Sequence, residues 1–140
     1  MSSPISTLAL IAHDNRKPAL ANWVQTNAEQ MRALTLISTG TTGNLIADRT
    51  GLPVTCLKSG PHGGDQQIGA RIAEGTVDML VFFWDPLEPM SHDPDIRALL
   101  RLATLWNIPI ASNESTADFL ITSPFFQAYD RAVPGFGGKA

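Results

Sequence analysis

Apolar residues fall along the chain in two kinds of run. Five short ones, "ISTLALIA" (5–12), "LTLIS" (34–38), "VTCL" (54–57), "DMLVFFW" (78–84) and "IPIAS" (108–112), are rich in β-branched and aromatic residues and predict strands. Several are apolar almost throughout, the pattern of strands covered on both faces. Between them apolar residues recur at helical spacing, as Leu20, Trp23, Val24, Ala28 and Met31, and again as Ile96, Leu99, Leu100, Ala103 and Trp106. Ile68, Ile72 and Ala73 mark a third helix, and "TTGNLIADRTG" a fourth, stopped by Gly51 and Pro53.

Strand and helix alternating in this way predict an α/β fold, a single three-layer domain over residues 1–140. Its sheet is expected to be five-stranded and mainly parallel, Rossmann- or flavodoxin-like, with right-handed crossovers. Loops that follow the strands then gather at one edge, where ligands bind. The end of the chain, "DRAVPGFGGKA", is glycine-rich and aperiodic, so the tail 125–140 is expected to fray or to dock on a neighbouring chain.

Composition narrows the partners. With 140 residues and 44% apolar side chains the chain can bury a core of its own. Ten basic residues, scattered rather than clustered, stand against thirteen acidic ones, for a formal charge of −3, so neither nucleic acid nor anionic membrane is an expected partner. The one cysteine, Cys56, lies in an apolar run and is expected to fill the core. A lone cysteine permits no internal disulfide or cysteine-based metal site, which fits the cytoplasm. Neither a secretory leader nor a membrane span is expected, since no basic segment precedes the first apolar run and no apolar stretch approaches spanning length.

The chemistry collects in the loops after the strands. "STGTTG" (38–43) offers hydroxyls and glycines at a helix start, where free backbone N–H groups and the helix dipole suit a phosphate; one of Thr39, Thr41 and Thr42 could equally serve as a plain helix cap. The glycine spacing matches neither the P-loop nor the dinucleotide fingerprint. "SGPHGGD" adds backbone donors at Ser59 and Gly60, then Asp65, which is either a cap or an ionised base. A base of ordinary strength removes a carbon-bound proton only if the resulting enediolate is stabilised. His92 could do this by polarising a carbonyl, with Asp93 and Asp95 nearby; "SHDPD" can also be read as a turn in which Asp93 caps the helix before Pro94. His13, Asp14 and Lys17 form either an anion site or a solvated helix start, and His62 and Asp85 remain open. The histidines have no metal-ligand spacing, so no metal is expected.

"LIAHDNRK", "STGTTG", "SGPHGGDQQIGARI", "VFFWDPLEPMSHDPDIRALLRLATLWNIP" and "STADFLITSP", in this order over residues 8–124, closely resemble the methylglyoxal synthase family. The resemblance implies a carbon–oxygen lyase that converts dihydroxyacetone phosphate to methylglyoxal and inorganic phosphate. It also implies no cofactor, a cytoplasmic homohexamer, and inhibition by phosphate with allosteric character. Position by position it makes Asp65 the catalytic base, sets His92 on the substrate oxygens and gives Asp95 and Asp14 supporting roles. His13 and Lys17 would bind substrate, and Thr39, Gly40, Thr41, Thr42, Ser59 and Gly60 the phosphate. The chain departs from the family at His62, where an apolar residue is more usual, and in its tail. A non-catalytic effector-binding module of the same fold is the alternative, and a triose phosphate isomerase a third reading.

Overall fold

The computed structural model describes residues 5–88 and 93–136. Its sheet joins β1 (Thr7–Ala12), β2 (Thr35–Thr39), β3 (Thr55–Leu57), β4 (Met79–Phe83) and β5 (Ile110–Ala111), every pairing parallel. The spatial order is β3-β2-β1-β4-β5. The chain therefore winds outward from β1 to β3, then returns to the other side of β1. That reversal opens a crevice above the carboxyl ends of the central strands.

Why β1 is apolar from Leu8 to Ala12 follows from its place at the centre. Leu8, Leu10 and Ala12, with Met79, Val81 and Phe83 of β4, meet one layer of helices. That layer contains α1 (Lys17–Thr26), α2 (Ala28–Met31), α3 (Gly40–Thr50), α6 (Glu114–Thr122) and α7 (Phe125–Ala128), which contribute Leu20, Val24, Ile46, Ile121 and Phe126 among others. Ala9, Ile11, Leu80 and Phe82 face the opposite layer, α4 (Gly64–Ala73) and α5 (Asp93–Leu105), through Ile68, Ile72, Ile96, Leu99 and Ala103. Each fully buried aliphatic or phenyl side chain stabilises this arrangement by about 1.5–3 kcal/mol.

Local chemistry sets the element ends. The helical spacing over 20–31 divides at Asn27, whose side-chain Nδ2 donates to the Trp23 carbonyl at 2.8 Å and closes α1. Gly51 ends α3 with φ 71°, its N–H on the Ala47 carbonyl, as the Gly–x–Pro stop predicts. The edge strands β3 and β5 are shorter than their apolar runs because each has a partner on one side only.

Cys56 corrects an expectation. It is exposed rather than in the core, because β3 is an outer strand with a partner on one side only. Its Sγ contacts Asn44 Oδ1 at 3.4 Å and fills the space that a side chain at Gly43 would need.

Residues 131–136 lie along the amino-terminal edge of the sheet. Asn107 Nδ2 donates to the Ala132 carbonyl at 2.9 Å, and Trp106 meets Phe136 edge-on at 5.0 Å. Arg131 stands 3.9 Å from Asp78, whose carboxylate also accepts from the backbone of Ser6 and Thr7. Among the described residues no helix is long and apolar enough to cross a membrane.

Candidate functional site

Loops after β1, β2, β3 and β4 converge on a cavity of about 390 Å³ at the carboxyl edge of the sheet. After β1, His13 keeps an extended backbone before the 3-10 turn Asp14–Arg16, and Pro18 opens α1 where a missing N–H costs nothing. His13 is only 8% exposed and stands edge-on against Phe82 at 5.1 Å. It is therefore no solvated helix start. Its Nδ1 accepts the Asp85 backbone N–H at 2.9 Å, so the proton of the neutral ring sits on Nε2. A second proton would set two N–H groups against each other. In that tautomer Nε2–H is the ring's donor, on the wall of the cavity.

Lys17 Nζ lies 2.7 Å from Asp14 Oδ1 and donates to Thr41 Oγ1 at 2.6 Å, tying the first loop to the second. The hydrogen bond and charge of Lys17 hold the Asp14 carboxyl below the usual aspartate range. Thr39 occupies the cap position of α3 without making a side-chain cap bond, and Thr41 engages Lys17, so capping does not account for these hydroxyls. Thr39 and Thr42 are buried in the wall.

Two glycines make the second and third loops fit. Gly40 has φ 32°, and a Cβ there would stand 2.7 Å from Ser59 Cα, so only glycine lets the two donor-rich turns touch. At Gly64 a Cβ would fall 1.9 Å from the Lys58 carbonyl oxygen. This close approach folds the turn back and delivers Asp65 into the second position of α4. The cap position itself belongs to Gly63, so Asp65 is not the cap. Asp65 is 3% exposed and its carboxylate rests against Gly60. The amino end of α4 favours its ionised form.

After β4, Asp85 organises the loop. Its Oδ1 accepts from Leu87 N at 3.1 Å and its Oδ2 from Asn15 Nδ2 at 3.2 Å. Those two hydrogen bonds, the Leu87 one foremost, lower its carboxyl below the ordinary range. Asp85 thus orients both the loop and His13. His62 is exposed, and its Nδ1 lies 2.8 Å from Ser59 Oγ.

Of the residues singled out in the sequence, His13, Asp14, Lys17, Thr39, Thr41, Thr42, Ser59, Gly60 and Asp65 all line this one cavity. Gly40 lies behind the wall as the contact between turns. Asp95 is half-buried in the first turn of α5 and is not among the described lining residues, and His92 falls outside the described residues. The sequence did not single out Ile11, Ala12, Pro61, Phe82 or Glu88 for the site, and these also line it. Phe82 could have been found from its place at the end of an apolar strand beside the loops; Glu88 sits past a turn with no periodicity to flag it. Among the described residues no group of three or more His, Cys, Asp or Glu is placed to hold a metal ion.

Comparison with known proteins agrees with the crevice. The MGS-like domain family model matches residues 19–112. The methylglyoxal synthase of Pectobacterium atrosepticum is 60% identical over 130 residues, covering 92% of this chain and 86% of the relative. That of Hahella chejuensis is 58% identical over 132 residues, covering 94% and 86%. The crystal structure of methylglyoxal synthase from Elizabethkingia anophelis NUHP1 superposes with a TM-score of 0.89 at 44% identity, covering 99% of this chain and 92% of that one. With a family model spanning most of the chain and relatives this similar along nearly its whole length, the chain belongs to the methylglyoxal synthase family.

Proposed function

We propose that this protein is a lyase that converts dihydroxyacetone phosphate to methylglyoxal and inorganic phosphate. The observation that carries the reading is the placement of one buried carboxylate, Asp65, beside two touching turns rich in anion donors. In this reading Thr39, Gly40, Thr41 and Thr42 with Ser59 and Gly60 hold the phosphate, assisted by Lys17. Asp65 takes a proton from the carbon bearing the free hydroxyl. His13 donates its Nε2–H to a substrate oxygen, and His92 is assigned to the carbonyl and hydroxyl oxygens by family resemblance, with Asp14 and Asp95 in support.

The enediolate that forms expels phosphate by breaking the C–O bond on the neighbouring carbon. The enol left behind gains a proton at its terminal carbon, gives up its hydroxyl proton, and so becomes methylglyoxal. Elimination requires that C–O bond to stand perpendicular to the enediolate plane, and fixing the phosphate at several donors enforces that angle. An isomerase would have to hold the same bond in plane.

Further parts of the proposal are a homo-oligomer, expected to be a hexamer, with phosphate as inhibitor, in the cytoplasm. Assembly is supported by Leu87, 88% exposed, and Phe119, 78% exposed, large apolar side chains that a neighbouring subunit would cover.

The test is a paired assay. Incubation with dihydroxyacetone phosphate should release methylglyoxal and phosphate in equal amounts. Asp65→Asn should lose nearly all turnover while still binding phosphate. Phosphate binding with no turnover in the unaltered protein would favour the effector-binding module, and glyceraldehyde phosphate without phosphate release would favour the isomerase.

A further inference from the structure

Among the described wall residues with ionisable side chains, Glu88 is the one whose chemistry the reading above leaves unused. Its backbone N–H donates to the Asp85 carbonyl at 3.4 Å, at the end of the turn that Asp85 organises, and its side chain lines the cavity. Oε2 is fully enclosed and, among the described residues, accepts no hydrogen bond. An enclosed acceptor left without a donor is costly, more so when it is charged. Lys17 is engaged by Asp14 and Thr41, and the Asp85 and Leu87 N–H groups by His13 and Asp85. A ligand in the cavity that brings a proton would satisfy the Glu88 carboxylate.

Of the three polar groups of a hydroxyketone phosphate, the ionised phosphate and the carbonyl only accept. The free hydroxyl alone can donate. We propose that Glu88 accepts the hydrogen bond of that hydroxyl and so selects hydroxyl-bearing substrates over analogues that end in a methyl group; this rests on the function proposed above. The same bond fixes the rotation of the carbon on which Asp65 acts, and hence which C–H faces the base. A site built to bond a hydroxyl discriminates strongly against an analogue lacking it, because its own polar group is then left unpaired.

The experiment compares dihydroxyacetone phosphate as substrate with hydroxyacetone phosphate, the same molecule without the hydroxyl, as competitive inhibitor. Glu88→Leu should raise KM for the substrate about tenfold, the worth of one hydrogen bond to a charged group, and should leave the inhibitor Ki within about twofold. Glu88→Gln keeps an acceptor oxygen without the charge and should give a smaller rise in the same direction. The deciding quantity is the ratio of KM to Ki. If that ratio stays at the wild-type value in both variants, whether both constants rise together or neither moves, Glu88 does not read the hydroxyl. Failure of the wild-type protein to make methylglyoxal would instead overturn the proposed function.

Discussion

At the scale of single residues the site is defined by commitments already made. Lys17 is bound to Asp14 and Thr41, so the cavity holds its cation in a neutralised form. The Asp14 carboxyl is depressed by Lys17, so the pair contributes at pH values above the unfolded aspartate value and is lost as pH falls through the lower folded one. Because Asp14 is 82% exposed, this contribution to stability is below about 1 kcal/mol. A carboxyl titration followed by NMR should find Asp14 below the ordinary range and, in Lys17→Met, returned to it. On the proposed reading Thr41→Ala removes both a phosphate donor and the anchor of Lys17, and phosphate affinity measured by calorimetry should fall about tenfold. An unchanged affinity would remove the second loop from the phosphate site.

At the scale of elements, the strands were legible because β1 and β4 are buried on both faces and, past Thr7, carry no polar residue to obscure them. Cys56 was misread for the complementary reason: its run is apolar, but strand order, which sequence does not state, puts β3 at an edge. The site was legible to the same degree. That the loops after the strands converge follows from parallel topology, so most of its residues could be named in advance. Glu88 could not, because its place depends on the tertiary path of an aperiodic turn. Nor could sequence tell that Gly63 takes the cap position and leaves Asp65 facing inward. The turn before α4 offers a sharp test. Gly64→Ala forces a Cβ into the Lys58 carbonyl, a backbone atom with no freedom to rotate away, and should destabilise the fold by about 1–3 kcal/mol in denaturant unfolding. Gly75→Ala, at a positive φ but with open space around it, should cost less, about 1 kcal/mol.

At the scale of the whole molecule, chemistry and chain end are separated by the length of the strands. The cavity opens at their carboxyl ends, while Arg131, Ala132 and Phe136 are fastened beside the residues that precede β4 and β5. Deleting residues 131–140 should therefore lower Tm by several degrees, through loss of the Arg131 contacts and the Trp106 ring contact. Phosphate affinity should not change. A fall in affinity would mean that the two ends of the sheet communicate.

The same separation gives the molecule a handle. Val133 is exposed within the fastened stretch and far from the cavity mouth. A cysteine placed there, with Cys56 replaced to keep the coupling unique, would let the protein be tethered to a sensor chip in one orientation. Every tethered copy would then face the flowing solution with its cavity open, and small phosphorylated ligands could be weighed against it directly.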